Sequence, residues 1–284
     1  MQIIENQEFG GERPLFGLHD ARLTRVVVHT GESALKHVKR LAVTDSQFEG
    51  KYPFWHAEDV EIEGCRFTPG ARAAIWDVKN VSMTGSTIDA PKMFRDASGL
   101  TLTDLVFTDA METLWNCAVV RMKRCRTEHA DYLFMHSRDI TVEDYVQHGN
   151  YSFQYCRNIT IANAEIHSKD AFWNSENITV RDFLVDGEYL GWHTKGLKLI
   201  NCRIKGTQPF CYCEGLKLVN CTMDPDCNLG FEYSDVDADI AGPVTSIKNP
   251  TSGLIRCASV GELILDENRA PGADCSVEYP DYGE

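Results

Sequence analysis

Aliphatic residues recur along most of the chain in pairs of the form aliphatic-x-aliphatic. The pairs are Leu41/Val43, Val60/Ile62, Val81/Met83, Leu100/Leu102, Val120/Met122, Ile140/Val142, Ile159/Ile161, Ile178/Val180, Leu197/Leu199 and Leu216/Leu218, spaced 19 to 21 residues apart. Alternation of period two predicts a strand at each pair. A second short strand is predicted five residues later, as in Cys65/Phe67, Leu105/Phe107 and Cys202/Ile204. A third begins six residues before each pair, at Phe54, Ile75, Phe94, Leu114, Phe134, Phe153, Phe172, Gly191 and Phe210.

Turn-forming residues punctuate this rhythm. Asp59, Asn80, Gly99, Asp139, Asn158, Asn177, Gly196 and Gly215 precede the pairs, and Asp45, Gly64, Gly85, Asp104, Asp144, Asn163, Asp182, Asn201 and Asn220 follow them. These residue types tolerate a left-handed backbone, so sharp corners cost little there. Three short strands and two corner columns per repeat predict an all-β parallel β-helix. The expected stack is about eleven coils of roughly 19–20 residues, spaced about 4.8 Å apart. The expectation is a single domain, 1–284, with an N-terminal cap at 1–22, coils over 23–240 and a C-terminal cap or tail at 241–284. The phenylalanine column and Cys65, Cys125, Cys202 and Cys221 are expected to fill the interior.

All five tryptophans fall in one column. Trp55, Trp76, Trp115, Trp173 and Trp192 each follow an inward position, so alternation points them outward. The next column carries His56, Asp77, Asp96, Asn116, His136, Tyr155, Asn174, His193 and Tyr212. Strict alternation turns this column inward again near a corner, where Asn116 and Asn174 would bond the turn backbone.

Exposed indoles in a row need a cover. A saccharide is one candidate ligand, with Trp55, Trp76, Trp115, Trp173 and Trp192 as the platform and His56, His193, Asn116 and Asn174 bonding hydroxyls. The others are the chain's own ends and a homo-oligomer partner. Asp77 and Asp96 occupy equivalent positions on adjacent coils, roughly 5 Å apart. That is near the separation of a retaining glycosidase pair, and crowding of like charge would lift one pKa. They are the candidate catalytic acids, with His136 as a proton carrier. No metal site and no cofactor are predicted.

Charge and composition narrow the partners. The 284 residues carry a net charge of −14, which disfavours nucleic acid and anionic membrane surfaces. Met1-Gln2-Ile3-Ile4-Glu5-Asn6 has neither the basic start nor the apolar core of a signal peptide, and no apolar run is long enough to span a membrane. Eleven cysteines without zinc-like spacing complete the expectation of a cytoplasmic protein.

With the repeat established, the chain resembles the pectin-lyase-like superfamily of right-handed parallel β-helices across nearly all of 23–240. The opening Phe9-Gly10-Gly11-Glu12-Arg13-Pro14-Leu15-Phe16 and coils in the style of Asn177-Ile178-Thr179-Val180 resemble a bacterial family of unknown function and about this length. The superfamily resemblance implies a polysaccharide lyase, glycoside hydrolase or pectin esterase. The polygalacturonase aspartate elements are missing, and Arg203-Ile204-Lys205 and His148-Gly149 stand alone. The predicted loops are also too short to wall a deep cleft.

Overall fold

The computed structural model describes residues 1–280; positions 281–284 of the expected C-terminal cap lie outside them. The described residues form strands, bridges and turns without a helix. They divide into two compact units, Met1–His148 and Gly149–Glu284. Each is a stretch of right-handed parallel β-solenoid, about 15 turns in all rather than the expected eleven. The extra turns come from the ends. Gln2–Glu5 pairs in register with His19–Thr24, and Ser252–Arg256 pairs with Ser276–Glu278. Gln2–Glu5, Ser252–Arg256 and Ser276–Glu278 carry only one member of the aliphatic pair that marks the inner repeats.

In the first unit the aliphatic pairs stack in register. Leu41 faces Val60, Val60 faces Val81, Val81 faces Leu100, and Leu100 faces Val120. Each is at most 2% exposed, and each contributes about 1.5–3 kcal/mol by leaving water. In the second unit Ile178 faces Leu197 and Leu199 faces Leu218. Aromatic ladders fill the interior, with Phe48 stacked on Phe67 at 5.0 Å in the first unit and Phe210 on Phe231 at 5.7 Å in the second. The expected inward cysteines are buried, and burial lifts the Cys65 and Cys125 thiols to about 11.

The corner columns hold left-handed backbone as expected, for example Asp59 (φ 56°), Asn80 (φ 54°), Asp182 (φ 53°) and Asn201 (φ 53°). Val119, at φ 56°, also takes this conformation in a slot where Gly99 and Asp139 stand on neighbouring coils. A β-branched side chain is strained there. Buried hydroxyls satisfy the backbone between coils. Ser137 Oγ accepts from the Cys117 amide at 2.9 Å and donates to the Leu114 carbonyl at 2.6 Å. Ser175 does the same between Cys156 and Phe153.

The third face departs from expectation. It is a run of turns joined in places by isolated bridges, such as Trp76 to Arg95 and Arg95 to Trp115, rather than a regular strand. Alternate residues are left-handed: Ala73, Ile75 and Asp77, then Lys92, Phe94 and Asp96, then Glu112, Leu114 and Asn116. The second unit repeats this at Tyr151, Phe153 and Tyr155 and at Asp170, Phe172 and Asn174. Bulky buried side chains hold a conformation that local preference disfavours, so tertiary packing overrides propensity here.

Candidate functional site

The alternating backbone sets the directions of the outer columns. In the first unit Phe54, Ile75 and Leu114 are buried, whereas Trp55, Trp76 and Trp115 point outward and stay half-buried. The next column does not return inward. Asp77, Asp96, Asn116 and His136 are exposed and His56 is half-exposed, because each is itself a left-handed corner residue and breaks the alternation. The same holds in the second unit for Asn174 and His193.

The indoles of the first unit stack along the coil direction. Trp55 lies 5.7 Å from Trp76 with planes 15° apart. Lys36 Nζ stands 3.6 Å from the Trp55 ring centre, and Tyr52 leans on both indoles at 5.8 and 6.0 Å. Arg95 takes the column position between Trp76 and Trp115 and lays its guanidinium 4.6 Å from the Trp115 ring. Its Nη2 donates to Glu112 Oε2 at 2.5 Å, and Lys92 lies 3.1 Å from the same carboxylate. Burial works against the charged form of Glu112, but Lys92 and Arg95 outweigh it and hold its pKa below the usual range. A cation thus lies on a face of Trp55 and of Trp115, and Trp76 stacks on Trp55.

Over this bed the polar column is cross-linked. His56 Nδ1 and Asp77 Oδ2 are 2.7 Å apart. Trp76 Nε1 donates to Asp96 Oδ2 at 2.7 Å, and Asn116 Nδ2 donates to Asp96 Oδ1 at 2.6 Å. The amide of Asp77 bonds the carbonyl of Arg95, which confirms that Asp77 and Asp96 sit on adjacent coils. Each carboxylate is held by its own neighbours. His136 stands further along the column in the same unit, beyond Asn116, whose amide bonds the Met135 carbonyl. His37 stacks on His56 at 4.7 Å. Burial, with the His56, Lys36 and Arg13 charges, pushes its pKa down against the pull of Asp77.

The second unit arranges the same columns differently. Trp173 and Trp192 meet at 61° rather than in parallel, with centres 6.3 Å apart. Trp192 Nε1 donates to the Gln208 carbonyl at 2.9 Å, and Tyr189 packs on its ring at 4.9 Å. The polar column becomes a stack of rings, with His193 4.7 Å from Tyr212 and Tyr212 5.3 Å from Tyr233.

The residues that brace the indoles form no visible column in the sequence. Tyr52, Lys92, Glu112 and Tyr189, through their side chains, and Gln208, through its carbonyl, all occupy one left-handed position three residues before the outward slot. Their chemistry varies too much from coil to coil to form a visible column.

Comparison with known proteins follows from this geometry. The profile of a family described as "Protein of unknown function (DUF3737)" matches residues 2–278. No curated protein matches the sequence. Among solved structures, the chain is similar to the tailspike protein of E. coli bacteriophage HK620 in complex with a pentasaccharide. The identity is 9% and the TM-score 0.48, covering 92% of this chain and 62% of that one. The chain thus spans less than two thirds of the tailspike's length. It is also similar to the A-module of mannuronan C-5 epimerase AlgE4 of Azotobacter vinelandii, at 12% identity and a TM-score of 0.42, covering 97% and 91%. At these identities no chemistry transfers.

Proposed function

The chain belongs to the family described as protein of unknown function (DUF3737), and from the geometry of the site alone we propose that it is a saccharide-binding β-solenoid. The carrying observation is Asp96. Its exposed carboxylate is oriented by Trp76 and Asn116, and beside it Asp77 is oriented by His56. A carboxylate oxygen has two lone pairs, so each fixed acceptor can still take a ligand hydroxyl. Acceptors repeating at the coil spacing beside aromatic edges suit a hydroxyl-rich chain.

The catalytic form of the reading gives acid and base roles to Asp77 and Asp96, with His136 moving the proton. Because neighbours already hold both carboxylates, we favour binding without turnover. In the second unit Trp173, Trp192, Asn174 and His193 would supply a further binding strip. A reducing, cytoplasmic setting belongs to the same proposal and is supported by eleven unbridged thiols.

The test is a panel of neutral oligosaccharides titrated against intrinsic tryptophan fluorescence. We expect saturable changes, with Asp96→Asn weakening binding by about tenfold, the worth of a hydrogen bond to a charged group. Silence across the panel, or unchanged affinity in Asp96→Asn, sinks the proposal.

One observation favours a second reading. Lys36 and Arg95 cover indole faces from within the first unit, as they would in a stabilising spine that binds nothing. Under that reading Arg95→Ala lowers stability and no saccharide perturbs the indoles.

A further inference from the structure

The outward residues of the first strand of each coil form a register column on a different face of the first unit. Arg22 pairs with Ala42, Ala42 with Glu61, Glu61 with Ser82, and Ser82 with Thr101. The small side chains at Ala42 and Ser82 leave dips on either side of Glu61. The resulting groove has a volume of about 590 Å³, and its lining includes Arg22, Ala42, Glu61, Asn80, Ser82 and Thr101. That volume lies within the usual range of small-molecule sites.

Charges on this surface generally pair with the next coil. Lys39 reaches Glu58 at 2.6 Å, Arg40 reaches Asp20 at 2.6 Å, and Lys123 reaches Glu143 at 2.6 Å. Arg22 and Glu61 break the rule, as Lys79 and Arg121 do elsewhere on the same surface. Among the described residues neither Arg22 nor Glu61 belongs to an ion pair, because Ala42 stands between them on the intervening coil. Two strand spacings separate their backbones by about 9.6 Å. This leaves an unpaired guanidinium and an unpaired carboxylate at the two ends of a gap with an alanine floor.

We propose that this groove is a binding site for a sugar acid of one or two rings, independent of the tryptophan-bearing face. The guanidinium takes the ligand carboxylate in a two-point contact, which its planar fork is shaped for. Glu61 accepts from ring hydroxyls, and Ser82, Thr101 and Asn80 bond the remainder. A carboxylate-bearing ligand meets the attraction of Arg22 and the repulsion of a protein of net charge −14; salt screens both, so the salt dependence of binding is shallow.

The test is amide chemical-shift mapping on the full chain, titrated with cellobiouronate, with neutral cellobiose and with triglycine. Cellobiouronate is expected to shift amides of the strands carrying Arg22, Ala42 and Glu61, and to bind at least about tenfold more tightly than cellobiose, the scale of a charge-assisted contact. Arg22→Ala should erase that preference. Ala42→Glu should abolish binding by giving Arg22 an internal partner. Because these positions line the surface, unchanged far-ultraviolet circular dichroism separates loss of the site from loss of the fold. Equal binding of cellobiouronate and cellobiose, tighter binding of triglycine, or shifts confined to the tryptophan-bearing face, at residues such as Trp55, Trp76 and Asp96, would each overturn the proposal. The last of these outcomes leaves the first binding strip standing.

Discussion

The two units use one repeat but hold their outer surfaces by different forces. In Met1–His148 the corner and face columns are largely ionic: Arg40 on Asp20, Arg124 on Asp104, His56 on Asp77, Arg95 on Glu112. In the second unit the corresponding corners form an amide ladder. Asn201 donates to Asp182 at 3.0 Å, and Asn220 donates to Asn201 at 3.0 Å. Its outer face continues as stacked rings. Ion pairs also occur on the second unit, as between Lys205 and Asp186 and between Lys217 and Asp237, so the contrast lies in the corner and face columns and not in the whole surface. The interior does not distinguish the units; only the surface does.

That contrast can be attacked first where it predicts no difference. Phe67→Ala in the first unit and Phe210→Ala in the second each remove a fully buried ring from a stacked ladder. Each should cost about 3–5 kcal/mol in urea denaturation. A much cheaper loss in either unit would show that the interiors differ after all.

The next test concerns the corners. Asn201→Ala breaks two ladder hydrogen bonds and places alanine at φ 53°, at a cost of about 1–2 kcal/mol. Arg124→Ala removes an exposed ion pair and should cost clearly less than Asn201→Ala, and less still in high salt. Equal losses from the two would erase the distinction between amide and ionic corners.

Val119→Gly works in the opposite direction. Relieving a β-branched residue at φ 56° should raise stability by up to about 1 kcal/mol, the left-handed penalty less the added flexibility of glycine. The midpoint of denaturation reads the change, and a fall would mean that the valine side chain packs usefully.

The smallest effect is on pH. His29 lies 3.0 Å from Glu8 and 3.2 Å from Glu49 on the neighbouring coils, and these hydrogen bonds raise its pKa above the ordinary value. A raised folded pKa means the clip is fully present below the unfolded value and is lost as pH rises through the folded one. His37, lowered by burial, has the opposite sign. It favours the fold above the unfolded pKa and loses that contribution as pH falls through its folded value. Hydrogen-exchange protection between about pH 5 and 8 should therefore change in the coils of the first unit that carry His29 and His37. His29→Gln should remove the upper limb alone.

How much could be read in advance varies by column. The register of Val60 under Val81, the buried cysteines and the left-handed Asp59 and Asn201 were legible, because each follows from a period of two and a residue type suited to its corner. The adjacency of Asp77 and Asp96 was legible for the same reason. The outward turn of that column was not, since left-handed backbone at Asp77, Asp96 and Asn116 breaks the alternation, in a run shared with Ile75, Phe94 and Leu114, whose own preferences argue against it. Nor were Lys36 and Arg95 visible as the cover of the indoles, because a period of two gives their column and not the direction in which a long side chain lies along it. The terminal turns went uncounted because strands such as Gln2–Glu5 carry only half of the aliphatic signal.

By itself, then, the sequence determined the solenoid, its strand register and the chemistry of each column, because those rest on interactions repeated at short, regular spacing. Only the tertiary structure decided which way the polar column faces, which ring faces are already covered, and that Arg22 and Glu61 are left unpaired across Ala42. Those outcomes depend on packing between coils about 20 residues apart in the chain, where a stacked neighbour can force a backbone that no local pattern announces.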